Sequence, residues 1–294
     1  MNSFTSKRLK AVITLADDSN TVFDSSGNNT LIINPDTTSP MLRMTATVTI
    51  SNRQATELSL NIWGMRTKDM DALTSAWVDS TSIRDNRVSL YADNGNGYRL
   101  VFIGTIIEAQ PDYKRAPEVP MQILAKISYF KQIEVTPPLS YQGAVSINTI
   151  GQDLSAKLGL AFNSNANSTL NDPYYPGTVF DQLRNACIDA KVDFYFQGET
   201  LVFTPLLQPI TNVPAVILSP ATGLVGYPIY NRRGLQVTAL FDPAYLCGST
   251  IQIVDSAVKG VNGLWYPRSI TFDLAANMPG GKWFATLQCN KTGV

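Results

Sequence analysis

The sequence predicts a mainly β protein with a small α/β insert, in which two β-barrel or sandwich domains flank a helix-containing domain. Three observations predict it. Residues 1–135 carry short runs in which apolar and polar residues alternate, separated by turn-forming residues. Residues 136–210 switch to apolar residues spaced as on a helix, and residues 211–294 return to short β-type runs. At 294 residues the chain also exceeds the roughly 100 to 150 residues of a usual single domain.

In the first region, Leu42 to Ile50 reads Leu-Arg-Met-Thr-Ala-Thr-Val-Thr-Ile, the alternation of a half-buried strand. A second strand, Glu57 to Ile62, precedes a short helix capped by Thr67, with Met70, Leu73 and Trp77 on its packed face. Three further strands are predicted at Asn86 to Tyr91, Tyr98 to Ala109 and Val119 to Phe130, each rich in β-branched or aromatic residues. Between the first two of these, Asp93-Asn94-Gly95-Asn96-Gly97 supplies the positive φ angles of a hairpin loop.

Pro137-Pro138 then breaks the chain, and Ser146 opens a helix with Ile147, Ile150, Leu154 and Leu158 on one face, closed by Gly159. A second helix starts at Thr178, which caps it with Asp181, and buries Val179, Leu183, Ala186, Cys187 and Ala190. Asp193-Phe194-Tyr195-Phe196 and Thr200-Leu201-Val202-Phe203, joined by Gln197-Gly198-Glu199, read as a hairpin. After a Pro- and Thr-rich loop from Pro205 to Pro214, strands are predicted at Ala215 to Leu218, Leu235 to Ala239, Thr250 to Val254, Ser269 to Asp273 and Trp283 to Gln288.

Composition narrows the function. Charged residues are 16% of the chain, against about 25% in an average soluble protein, so the solvated surface is poor in charge. Lys and Arg (23) balance Asp and Glu (23), which removes the net field that would hold the protein on nucleic acid or an anionic membrane. No apolar run approaches the roughly 18 to 20 residues of a membrane span and the N-terminus is polar, so no stable membrane insertion and synthesis in the cytoplasm are expected. Cys187, Cys247 and Cys289 form neither a CxxC pair nor an even set, and read as buried apolar residues.

The chain has no histidine, the commonest general base and transition-metal ligand. Chemistry by two carboxylates, as in a glycosidase with facing acids about 5 to 9.5 Å apart, survives that test. Its candidates are Glu57, Glu108, Glu118, Asp193 and Glu199, each read more simply as a solvated strand end or turn. The Gly-rich stretches at 93–97 and 260–263 lack phosphate-binding spacing and read as turns. No catalytic, cofactor-binding or metal-binding residue is assigned, no cofactor is expected, and the chain is read as a non-enzymatic structural protein of a larger symmetric assembly. Trp63, Trp77, Trp265 and Tyr266 leave open a carbohydrate-binding or receptor-binding module that stacks sugars on aromatic rings, against the simpler reading that they supply core area.

The order of these elements and several local strings resemble the baseplate hub proteins of phage tails. The strings are Glu57-Leu58-Ser59-Leu60-Asn61-Ile62-Trp63-Gly64 before a short helix, the strand Leu100 to Ala109, Ser146 to Leu160, and Phe180-Asp181-Gln182-Leu183-Arg184-Asn185-Ala186-Cys187. A fifth runs from Arg233 to Pro243 and into Leu246 to Ile253. The resemblance implies two tail-tube-like β-barrel domains (1–135 and 211–294) around an α/β insert (136–210) that sits outside a ring. It implies a homotrimer joining the tail tube or tube-initiator protein to the central spike, amid other baseplate proteins of the virion. DNA would pass through the lumen without specific binding, and no lumen residue is identified from sequence. A strand-rich surface poor in charge suits ring closure through subunit contacts.

Overall fold

The computed structural model describes residues 7–16, 23, 27–35, 41–78, 85–211, 213–232 and 234–292. The first region contains β1 (Arg8–Thr14), β2 (Thr30–Ile33), β3 (Arg43–Ser51), β4 (Glu57–Trp63), α1 (Thr67–Val78), β5 (Arg87–Asp93), β6 (Arg99–Pro111) and β7 (Pro120–Lys126). In β3 the alternation works as read: Met44, Ala46, Val48 and Ile50 are buried and the threonines between them face away. β1 and β2 extend the sheet beyond the first strand expected from sequence. β1 is a seven-residue alternation, burying Leu9, Ala11 and Ile13, too short to stand out against its polar flanks.

Two boundaries differ from expectation for local reasons. α1 opens on the carbonyl of Arg66, which accepts from the amides of Asp69 and Met70, so Thr67 is the first helical residue and not the cap. The strand expected to reach Phe130 stops at Lys126, because Ser128 turns at φ 48° into the short helix α2 (Tyr129–Ile133). At the β5–β6 turn the Asp93 carboxylate accepts from the amides of Gly95 (2.7 Å) and Gly97 (2.9 Å), the hairpin chemistry the Asn-Gly pairs predict.

The middle region comprises β8 (Leu139–Ser140), β9 (Ala144–Ser146), α3 (Ile147–Leu158), β10 (Ala161–Ser164), β11 (Thr169–Asn171), β12 (Tyr174–Tyr175), α4 (Val179–Asp189), β13 (Val192–Gln197) and β14 (Thr200–Pro205). Both helices begin and pack as predicted. Ser146 accepts from the Asn148 amide, Gly159 closes α3 at φ 72°, and Thr178 and Asp181 form a reciprocal capping box on α4. A three-stranded sheet, β10–β14–β13, packs with the two helices around Leu154, Leu183, Phe194 and Phe203.

The last region holds β15 (Val216–Leu218), β16 (Leu224–Asn231), β17 (Gly234–Leu240), β18 (Ile251–Ile253), β19 (Gly263–Ala276) and β20 (Trp283–Lys291). β16 was not expected, since Pro228 interrupts its apolar run and marks it as an edge strand. The two outer regions do not form separate sheets. One 13-stranded sheet runs β16–β17–β20–β19–β3–β4–β7–β6–β5–β1–β2, with β18 and β15 branching from β19. The junction is an antiparallel pairing of β3 with β19, from Ser51 opposite Ser269 to Met44 opposite Ala276. Side chains of both regions therefore share one apolar core, including Leu9, Leu60, Val237 and Leu287, while the middle region has its own. No helix among the described residues is long and apolar enough to cross a membrane.

Candidate assembly surface

Alternation along a strand gives the large sheet a second face, opposite its core, and the register sets that face's chemistry. Thr238 of β17 lies opposite Thr286 of β20, Thr286 opposite Thr271 of β19, and Thr271 opposite Thr49 of β3. Beside this threonine row, Thr47 donates to Asp273 (3.0 Å), and the hydroxyls of Ser51 and Ser269 lie 2.9 Å apart. Asn61 and Gln122 continue the polar face onto β4 and β7. Two of its cations are neutralised in place, Arg43 by Glu118 (2.7 Å) and Lys126 by Glu57 (2.6 Å). The face is broad, hydroxylated and close to neutral, and it crosses the β3–β19 junction without a break.

Among the described residues the sheet ends at β16 on one side and at β2 on the other. At one end β16 projects Tyr227 (70% exposed), Ile229 (61%) and Tyr230 (57%), and a bulge between Val225 and Ile229 separates its two stretches of pairing with β17. The other end is β2, where Ile32 is exposed. Pro228 and the bulge interrupt the β16 ladder and Tyr230 donates its hydroxyl to the Gly260 carbonyl (2.9 Å), so this edge offers another chain exposed apolar side chains, Tyr227 and Ile229, more than a continuous run of backbone donors and acceptors. Sequence reading missed both edges, and the one signal for β16 was the Tyr-Pro-Ile-Tyr string at 227–230.

Of the candidates from sequence, Glu57 and Glu118 lie on this face as ion-pair partners, and the others are spread over the chain. Trp265 and Tyr266 are buried, Trp265 donating its indole N–H to the Val261 carbonyl (2.7 Å), so neither offers a ring to a sugar. Trp63 is half-buried with the Arg43 guanidinium over its ring, and the side chain of Trp77 lies outside the described residues. Glu57 and Glu118 are ion-paired as above, Glu108 accepts from the Gln110 amide, and Glu199 lies in the β13–β14 turn. Among the described residues no group of three or more Cys, Asp or Glu is placed to hold a metal. Cys187, Cys247 and Cys289 are buried free thiols whose pKa values burial raises, that of Cys289 to about 12.

Asp193 corrects the sequence reading. It was expected at a solvated strand end, but its carboxylate is 1% exposed and forms the joint between insert and sheet. Asn52 Nδ2 (2.8 Å) and the Leu207 amide (3.3 Å) donate to it, and the guanidiniums of Arg53 (3.1 Å) and Arg268 (3.9 Å) pair with it. The β3–β4 turn is pushed into the insert: Arg53, at φ 56°, donates its amide to the Phe194 carbonyl (2.9 Å) and its guanidinium to the Val192 carbonyl (2.8 Å). On the other side Gln197 donates to the Cys247 carbonyl (2.8 Å). The insert is thus held by hydrogen bonds from both outer regions.

Residues 9–289 match the family model described as "Baseplate hub gp41". The chain belongs to the baseplate hub gp41 family. No curated protein matches the sequence. Solved structures share its fold at low identity. The prophage MuSo2 43 kDa tail protein from Shewanella oneidensis is 10% identical, with a TM-score of 0.62 and 97% of each chain covered. A tail protein from Neisseria meningitidis MC58 is 10% identical, with a TM-score of 0.60 and 97% of each chain covered. The E. coli c3393 protein is described as a component of the type VI secretion system with structural similarity to T4 bacteriophage tail proteins gp27 and gp5. It is 10% identical, with a TM-score of 0.59 over 87% of this chain and 75% of its own. The protein is therefore a structural component of a bacteriophage tail baseplate, and its mostly β fold is that of tail proteins.

Proposed function

We propose that this hub-family protein forms a homotrimeric ring at the centre of the baseplate, joining the tail tube to the central spike. On this reading residues 1–135 and 211–294 act as two tube-like β units, and residues 136–210 form an accessory domain on the outside. The observation that carries it is the edge-to-edge pairing of β3 with β19, which joins the two β units into one sheet and leaves β16 and β2 as its terminal strands among the described residues. A head-to-tail contact between the β16 edge of one copy and the β2 edge of the next repeats that junction, and three such contacts close the ring. The threonine-rich face would then line the passage, where a nearly neutral hydroxylated wall lets DNA slide without holding its phosphates. As a family member the protein does its work by contact, with no catalytic step assigned to it.

Light scattering across a concentration series, alone and with the spike protein, tests the reading. The expected mass is three times the 32.2 kDa of the chain, or, where assembly needs the spike, that of three chains plus the spike. Substituting Tyr227→Lys with Ile229→Lys on the exposed β16 edge is expected to return the monomer while leaving the melting temperature of the chain unchanged. A particle that stays monomeric in both conditions, or a double variant that still assembles as a trimer, refutes the edge contact.

A further inference from the structure

At one end of the polar face, beside the turn that enters the insert, the sheet carries a concave site of roughly 550 Å³. Its lining includes Ser51, Gln54, Arg232, Arg268, Gln288 and Asn290, and no carboxylate among the described residues. The bulge in β19 between Pro267 and Ser269 inserts one extra residue, so that Arg268 and its neighbour Ser269 both reach the cleft. Arg232 comes from the hairpin turn between β16 and β17.

The charge pattern of this cleft differs from the rest of the face. Arg43 and Lys126 each have a carboxylate of their own. Arg268 instead stands 3.9 Å from a single buried carboxylate, Asp193, that Arg53 approaches more closely at 3.1 Å. Guanidinium groups donate and never accept. Arg268 Nε and Gln288 Nε2 both lack an acceptor, though both atoms are shielded from water. The Gln288 amide is oriented by its oxygen, which accepts from Asn231 Nδ2 (3.2 Å), so its nitrogen is committed to the donor role. Most shielded donors in a protein are satisfied, and these two orphans belong to residues that line one cationic cleft, which points to a missing acceptor there.

We propose that this cleft binds a carboxylate presented by a polypeptide partner, an acidic side chain or a chain terminus, with Arg232 and Arg268 as the ion-pairing groups. The carboxylate draws the Arg268 head away from its distant pairing with Asp193 and takes a forked hydrogen bond from it. Nucleic acid fits the site less well, because backbone recognition uses rows of cations and the adjoining face is neutral threonine. All the residues come from one chain, so the site does not depend on ring closure and is measurable on monomer or trimer.

Fluorescence anisotropy of labelled hexaglutamate, at constant ionic strength, tests it against labelled hexaserine and a six-nucleotide DNA. The expected result is hexaglutamate binding to the native chain, at least tenfold weaker binding to Arg232→Gln, and none to Gln288→Glu, which supplies the cleft with its own carboxylate. Arg232 is an exposed turn residue, and an unchanged melting curve checks that its variant folds. Gln288→Glu keeps the acceptor used by Asn231 and is expected to melt no lower than the native chain. Hexaglutamate binding that is absent, or equal in all three proteins, overturns the site. DNA binding tighter than hexaglutamate overturns the polypeptide assignment.

Discussion

Replacing Asp193 by Asn removes one charge from the joint between insert and sheet while keeping the side chain's volume. The carboxylate is 1% exposed and receives hydrogen bonds from Asn52 Nδ2 and the Leu207 amide, with Arg53 and Arg268 as its cations. An amide in its place turns an NH₂ group toward donors on at least one side and leaves two guanidiniums with no counter-charge. Removing one partner of a buried pair costs about 3–5 kcal/mol. Here the arginine side chains are 26% and 35% exposed, so water recovers part of the loss and about 3 kcal/mol is expected. With a urea m-value near ~3 kcal/mol/M the midpoint falls by roughly 1 M. Hydrogen exchange locates the loss: the Arg53 amide, bonded to the Phe194 carbonyl, is expected to exchange faster, while amides of the insert's own helices α3 and α4 change little. A destabilisation below about 1 kcal/mol, or faster exchange confined to α3 and α4, would refute the argument that this carboxylate fastens the insert to the sheet.

Two further outcomes test the packing and the buried thiols. A Cβ on Gly151 would lie 2.5 Å from the Phe162 ring and 2.7 Å from that of Phe203, so Gly151→Ala is expected to destabilise by about 1–3 kcal/mol despite alanine's better helix propensity; a raised urea midpoint contradicts that packing. Burial raises the thiol of Cys289 from 9.0 to about 12, and those of Cys187 and Cys247 in the same direction. The unfolded chain therefore loses these protons first, and the stability tied to the neutral thiols is complete below about pH 9 and lost as pH rises from there toward 12. Urea midpoints that hold level from pH 8 to pH 11 would argue against buried thiols.

Local signals carried the fold a long way. The caps at Ser146, Thr178 and Gly159, the hairpin turns at 93–97 and 197–199, and the alternation of β3 are decided by neighbours a few residues away, and each stands where the sequence places it. β16 was missed because Pro228 and the bulge beside it erase the alternation that reports a strand. Asp193 was misread because its burial depends on Arg53 and Arg268, partners 140 and 75 residues away along the chain by their numbering, and no local pattern records them.

Residue order alone shows a chain that is mainly β with a two-helix insert, poor in charge, without histidine, and similar to phage baseplate hubs over most of its length. That the two outer β regions are one sheet emerges in the folded chain. Pairing between β3 and β19 joins segments more than two hundred residues apart, and backbone hydrogen bonds leave no signature in side-chain order that says which strand is the partner. The same register gathers threonines from four separate strands into one row and leaves β16 and β2 as the terminal strands of the described sheet. Alternation sets which residues share a face of their own strand, but the candidate assembly surface comes from the lateral order of the strands, which the folded chain alone supplies.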